Sequence, residues 1–306
     1  MNSDIIIIGG GIAGISLGAQ LSGHARVTIL EMENQPGYHA TGRSAAYFAP
    51  AYGNETVRQI TAASESFFRT PPENFTDVPL IHPRESLFIA RKDQAASMSA
   101  LLNENDQLIP VETAQMVAQV PILNPSTLLS GARDPAGGDL DVHALLQGFI
   151  RLFRANDCQM IMSTLVTSLF YRNGLWTVKT NKSEHRAPTI VNAAGAWADQ
   201  IAQMAGLQPL SIRPFRRTAL LIEIPGDIDI TDWPLVIDVD EQFYFKPDAG
   251  KLLISPADET LCEPCDAQPD EIDVATVVDR IQQATSLNVM KINHRWAGLR
   301  TFAPDR

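Results

Sequence analysis

The sequence predicts an α/β protein in which a nucleotide-binding domain on a parallel sheet is interrupted by a more antiparallel, β-rich domain. Three observations predict it. The first thirty residues spell strand, glycine turn, helix, strand; a Pro-rich break separates them from further alternating elements; and Arg216 to Ser255 is mostly β-like. Alternation of strands with helices places helices on the faces of a parallel sheet, whereas clustered short strands make antiparallel ones.

Ile5 to Ile8 is apolar throughout, which suits a strand covered on both faces, and Arg26 to Leu30 is a second such run. Between them Ile12, Ile15 and Ala19 fall on one helical face, so the unit reads as βαβ at the centre of a parallel sheet. Asn54 to Arg69 reads as a helix. Pro71, Pro72, Pro79 and Pro83 then forbid regular structure and mark where a subdomain begins. Leu87 to Ala90 reads as a strand, and two helical stretches follow up to Val120. After Asp141, which fits an N-cap, Leu145, Phe149, Leu152 and Phe153 give one apolar helical face. Leu165 to Tyr171 and Leu175 to Thr180 are β-like runs joined through Asn173-Gly174, a hairpin signal. Thr189 to Asn192 is a short strand, Asp248-Ala249-Gly250 turns one later strand into the next, and Val274, Val278, Ile281 and Thr285 mark a last helix.

A length of 306 residues allows one large domain or two ordinary ones, and 45% hydrophobic with 19% charged residues is the composition of a folded chain, not a disordered one. Lys plus Arg number 24 against 35 for Asp plus Glu; the net charge of -11 repels a phosphate backbone, so nucleic acid is set aside as a partner. No run approaches the roughly 18 apolar residues of a membrane span, and no leader pattern opens the chain. Cys158, Cys262 and Cys265 are too few for a disulfide framework, and a cytoplasmic location is expected.

Gly9-Gly10-Gly11-Ile12-Ala13-Gly14 fits G-x-G-x-x-G directly after a strand and opening a helix, with Glu31 at the end of the second strand. The first glycine permits the tight turn, Gly11 lets backbone approach a pyrophosphate, Gly14 lets helix and strand pack, and Glu31 is placed to accept hydrogen bonds from a ribose. The fingerprint alone fits FAD and NAD alike. Gly37 to Ala46, rich in small and hydroxyl residues, can lie against a flat, phosphate-bearing ligand, and Val191 to Trp197 is a strand ending in small residues. Cys262-Glu263-Pro264-Cys265 has no second ligand pair and no thioredoxin-like setting, so it reads as a solvated loop and no metal is expected.

Together these segments resemble the D-amino-acid oxidase-like superfamily of FAD-dependent oxidoreductases. Over nearly the whole chain "QPGYHATGRSAA", "AYG", "ITAAS", "VNAAGAWAD", "FYFKPDAG", "SPA" and "WAGLR" are similar to its D-arginine dehydrogenase branch. The resemblance implies a discontinuous Rossmann-like FAD-binding domain (1–77, 136–209 and 295–306) plus a β-rich (α+β) substrate domain (78–135 and 210–294), with the flavin ring between them. It implies non-covalent FAD held by Gly9, Gly11, Ile12, Ala13, Gly14, Glu31, Thr41, Gly42, Arg43, Ser44, Ala45, Ala46, Val166, Ala194, Gly195, Trp197 and Arg300, with His39 an ordinary loop histidine. Arg217 and Arg300 match the arginines that bind the substrate carboxylate, and Tyr52 and Tyr244 match tyrosines of the same pocket. A planar guanidinium pairs with a carboxylate in bidentate fashion and so fixes the α-carbon.

The implied activity is oxidative deamination of a D-amino acid, D-arginine or another basic or apolar one, to the imino acid and then the 2-oxo acid and ammonia. Two departures bear on the substrate: Ser86 stands where the branch has a glutamate, with Glu85 one residue earlier, and Tyr47 stands where it has a histidine. On a strand, a shift of one residue sends a carboxylate to the opposite face. Alternatives are an enzyme of glycine or a secondary amine and an NAD-dependent dehydrogenase. Electron transfer by peripheral membrane contact stays open. The branch continues past "WAGLR" with a Gly-Gly-x-Gly turn, so a catalytically impaired remnant, or half of a split enzyme completed by a C-terminal segment, is a further expectation.

Overall fold

The computed structural model describes residues 3–156, 158–226 and 228–305. Its first sheet has four parallel strands in the order Thr189–Asn192, Ile5–Ile8, Val27–Leu30, Gln159–Ile161. The two strands of the opening βαβ unit are both interior, which explains why each is apolar on both faces. Ile7 packs with Ile15 and Ala19 of helix Ile12–Leu21 and with Phe149 and Phe153 of helix Val142–Arg154. Ile6 and Ile8 face the other way, onto Val166, Leu169 and Val178 of a three-stranded antiparallel sheet. Helices, parallel sheet and antiparallel sheet thus form three layers. Asp141 does cap its helix, accepting from the Ala144 N–H at 2.7 Å. Leu145, Phe149 and Phe153 are buried as expected, whereas Leu152 is 37% exposed and lies off their face. The Asn173-Gly174 turn joins its two strands with both residues at positive φ, 51° and 80°, the backbone such a two-residue hairpin requires.

A nine-stranded, mainly antiparallel sheet forms the second body, in the order Thr260–Leu261, Arg213–Ile222, Lys251–Ser255, Tyr244–Asp248, Leu235–Asp238, Ser86–Arg91, Leu128–Asp134, Ile109–Val111. Ile292–Phe302 pairs with Arg213–Ile222 over ten registered positions, placing Gly298 opposite Arg217 and Arg300 opposite Phe215. This eleven-residue strand is longer than the Trp296 to Arg300 element legible in the sequence. One face of the sheet is dry: Leu220, Ile222, Phe245, Leu252 and Ile254 pack on Val274, Val277 and Ile281 of helix Glu271–Ala284. Because side chains alternate along a strand, the residues between them, Arg217, Ala219, Tyr244 and Lys246, point to the opposite face. That face is the floor of a cavity. A small sheet of Tyr47–Phe48, Gly138–Leu140 and Ile81–Pro83 ties residues from the first body to the second.

Candidate active site

The parallel strands Ile5–Ile8, Val27–Leu30 and Thr189–Asn192 end at one edge, and a cavity of about 500 Å³ opens there. Open α/β sheets place ligands at this carboxyl edge. Gly9, Gly11, Ile12, Ala13, Glu31, Thr41, Val166, Ala194, Gly195 and Trp197 all line the cavity. Gly9 sits at φ 114° with a hypothetical Cβ only 2.2 Å from the Ala193 carbonyl oxygen, so no other residue fits. At Gly11 the nearest protein atom to such a Cβ is Thr41 Oγ at 3.3 Å; the space its missing side chain leaves is cavity. Helix Ile12–Leu21 begins there with no acidic residue in its first turn and no side-chain cap on Gly11, which leaves its positive end facing the cavity. Thr41 Oγ accepts the Ile12 N–H at 3.0 Å.

Glu31 is 8% exposed and held by the glycine turn itself: Oε2 accepts the Gly10 N–H at 2.5 Å and Oε1 the Glu33 N–H at 2.8 Å. Each carboxylate oxygen has a second lone pair, so the group still offers acceptors to the cavity it lines. Gly10 escaped the sequence reading because its role is to donate to Glu31, not to approach a ligand. A dinucleotide whose ribose hydroxyls meet Glu31 and whose pyrophosphate meets the open helix end fits these residues.

Three residues expected at the cofactor serve it indirectly. Gly14 lines neither cavity; a Cβ there would lie 2.0 Å from the Gly9 oxygen, so it permits helix–strand packing. Gly42 donates its N–H to the Gly37 oxygen at 2.7 Å and closes a turn. Arg43 turns its guanidinium away, donating to the Ala267 and Ala297 carbonyls at 3.0 Å and pairing with Asp266, because those acceptors desolvate it without loss of hydrogen bonds. His39 Nε2 lies 2.8 Å from Glu33 Oε1, and its ring packs 4.6 Å from that of Trp197.

A second cavity of about 510 Å³ shares Ala40, Leu299 and Thr301 with the first. Arg43, Ser44, Ala45 and Ala46 form part of its wall, Arg217, Tyr244 and Arg300 reach it from the sheet, and Tyr52 reaches it from the loop after Tyr47–Phe48. Arg300, expected at both cofactor and substrate, lines only this cavity. Its guanidinium lies 5.3 Å from the Tyr52 ring and 4.9 Å from that of Phe302, and Nη2 donates to the Tyr52 hydroxyl at 3.0 Å. Tyr52 in turn donates to Glu241 Oε2 at 3.2 Å. Arg217 Nη2 donates to Glu259 Oε1 at 3.0 Å, while its Nε is buried with no hydrogen-bond partner among the described residues. Arg216, one residue earlier, points to the other face and pairs with Asp273 at 2.8 Å. Burial pushes the Tyr244 phenol above its ordinary value, against the lowering effects of Ser255, Arg217 and Arg300, so it stays a hydroxyl donor.

Ser86 is buried, while Glu85 lies 3.6 Å from Arg133 and 3.4 Å from Gln119, and none of these three lines the cavity. Tyr47 lines the cavity with its ring, but its hydroxyl donates to the Arg84 carbonyl at 2.6 Å; burial raises this phenol strongly. Two wall residues had no signal in the sequence. Lys246 is buried with Nζ 2.7 Å from Asp139, a carboxylate it shares with Arg84, and Glu241 stands exposed in a turn at φ 54°. A hydropathy pattern gives no reason to expect a lysine in a buried strand. Among the described residues no group of three or more His, Cys, Asp or Glu is placed to hold a metal, and no helix is long and apolar enough to cross a membrane.

Residues 4–306 match the family described as FAD dependent oxidoreductase (DAO). Mitochondrial dimethylglycine dehydrogenase of Rattus norvegicus is 27% identical over 267 residues, 83% of this chain and 31% of that protein. The chain therefore spans about a third of the length of such relatives. Glycine oxidase from Geobacillus kaustophilus has the same fold, with TM-score 0.83 at 18% identity over 99% of this chain and 84% of that one. L-proline dehydrogenase from P. horikoshii does too, with TM-score 0.83 at 21% identity, covering 99% and 83%. The chain belongs to the DAO family of FAD-dependent oxidoreductases, and its cofactor is FAD rather than NAD.

Proposed function

We propose, from that membership, that the chain carries the cofactor- and substrate-holding core of an enzyme that oxidises the Cα–N bond of an α-amino acid with an uncharged side chain, of the D configuration its sequence motifs imply. The observation that carries this reading is the placement of Arg217 and Arg300: neighbouring strands project both from one face into a cavity that shares Ala40, Leu299 and Thr301 with the cofactor cavity. Arg300 has no carboxylate within ion-pair distance among the described residues, and Arg217 keeps a buried N–H without a partner. Arg217 is paired with Glu259 and Arg300 donates to Tyr52, but a partly buried guanidinium with N–H groups to spare is stabilised by an incoming carboxylate more than an exposed one.

Arg217 and Arg300 bind the carboxylate, and the Tyr52 and Tyr244 hydroxyls are placed to donate to it or to the amine. Holding the carboxylate fixes the α-carbon, which turns the oxidation into a matter of placement. Bound FAD supplies the two-electron acceptor for that chemistry. Ala219, Leu235, Ile237 and Ala257 form an apolar stretch of the remaining wall that suits an uncharged side chain, while Lys246 is engaged by Asp139 and Glu241 accepts from Tyr52. D-arginine forms no part of the proposal, since Glu85 lies with Arg133 and Gln119.

A second reading, glycine or a secondary amine as substrate, is favoured by the same apolar wall. Anaerobic mixing of the FAD-loaded chain with a panel of D- and L-amino acids, glycine and N-methylglycine separates the two. Bleaching of the flavin colour by apolar D-amino acids supports the first, bleaching by glycine and N-methylglycine alone supports the second, and bleaching by none overturns both.

A further inference from the structure

Cys262 and Cys265 belong to a motif the proposed reaction leaves unused. Their sulfurs stand 3.5 Å apart; both thiols are free, Cys265 exposed and Cys262 half-buried. A disulfide places sulfurs about 2.05 Å apart, so closure asks a movement of about 1.5 Å, which rotation about the Cα–Cβ bonds can supply. The loop that follows them grips the cofactor-facing segment. Asp266 pairs with Arg43 and accepts from the Tyr38 hydroxyl at 3.4 Å, and the Ala267 carbonyl accepts from Arg43 at 3.0 Å. Ala267 is buried against Ala196, Ala297 and Leu299. Arg43 in turn is latched to the long strand, its carbonyl accepting from Trp296 Nε1 at 3.0 Å. With no third metal ligand among the described residues, redox chemistry suits the pair better than zinc.

We propose that Cys262 and Cys265 are a reversible dithiol–disulfide pair whose oxidation stiffens the grip of this loop on Arg43 and slows release of the cofactor. The oxidant is a peroxide. One thiolate attacks the O–O bond of hydrogen peroxide, giving a sulfenic acid and, after proton transfer, water; the second sulfur displaces the hydroxyl as a second water and forms the S–S bond. Two thiols and one peroxide thus become one disulfide and two waters, and an external dithiol reverses the change. Burial, together with the Cys262 thiol and Asp266, pushes Cys265 above its ordinary value.

The FAD-loaded chain is treated with one equivalent of hydrogen peroxide or with dithiothreitol. Oxidation is expected to remove two hydrogens from the intact mass and two of the three titratable thiols, with peptide mapping placing the link at 262–265. Free flavin fluorescence should then appear about twofold more slowly, a modest change because the closed loop is short. Cys262→Ser and Cys265→Ser should release flavin at one rate under both treatments. A link involving Cys158, an unchanged mass, or a disulfide without effect on release overturns the inference. If the chain retains no flavin, the proposed function fails instead, and the pair is judged by melting: the oxidised chain should melt higher, and equal melting rejects it.

Discussion

The two cavities share three wall residues yet are built in opposite ways. The first is built around the glycine turn and small residues at the ends of parallel strands, where peptide N–H donors stand beside polar side chains such as Glu31, Thr41, Thr164 and Asn192. The second is lined by long side chains standing on an antiparallel sheet, where alternation alone decides that Arg217 and Tyr244 face the cavity while Arg216 and Phe245 do not. At Gly9 the first site tolerates no change in residue size, because an added Cβ meets main chain. A side-chain-built site tolerates size changes but depends on charge.

Gly9→Ala breaks the first region most severely. The added methyl would lie 2.2 Å from the Ala193 oxygen at φ 114°, and a loss of about 3 kcal/mol or more is expected. Thermal unfolding and retained flavin per chain measure it; near-wild-type values for both would mean the turn is not as built. Glu31→Gln is milder. The amide can accept only one of the Gly10 and Glu33 N–H groups, and one buried donor left unpaired should weaken cofactor binding about tenfold, read by flavin fluorescence titration.

In the second region the expected effects are smaller where the polar group points away from the cavity. Tyr47→Phe removes the bond to the Arg84 carbonyl and should cost about 1 kcal/mol of stability while leaving the half-saturating substrate concentration in place. A raised half-saturation would show that this hydroxyl serves the substrate after all. The smallest effect concerns pH. The folded-state pKa of Tyr244 is raised, so its proton is kept as pH climbs through the range near 10 where a free tyrosine ionises. Half-saturation in Tyr244→Phe relative to the unaltered chain should therefore stay at a constant ratio from neutral pH up to that range; a ratio that converges below it would place the ionisation too low.

The contrast also explains what was legible in the sequence. The glycine turn, Glu31 and the strand ending at Asn192 are local patterns with fixed spacing, and backbone geometry follows from them directly. The Asp141 cap and the Asn173-Gly174 hairpin were legible for the same reason. Arg217, Tyr244 and Arg300 are far apart in sequence and carry no local signature; only resemblance singled them out, and Glu241 and Lys246 were not singled out at all. Leu152 was misassigned because an apolar residue at helical spacing need not be covered when neighbouring layers stop short of it. Gly14 keeps the packing role its place in the glycine turn implies, whereas Gly42 and Arg43, expected at the cofactor, make hydrogen bonds that serve the frame around it.

The central claim is that Arg217 and Arg300 bind a substrate carboxylate beside the cofactor. Its direct test is the rate of anaerobic flavin reduction, compared between an amino acid substrate and the corresponding amine lacking the carboxylate, in the unaltered chain and in Arg217→Met and Arg300→Met. Each substitution should lower the specificity constant for the amino acid about 100-fold, near 3 kcal/mol of lost charge-assisted hydrogen bonding, and should leave the slow reaction of the amine within about threefold. Equal losses on both substrates would contradict the claim, because they would place the arginines in the frame of the site and not on the carboxylate.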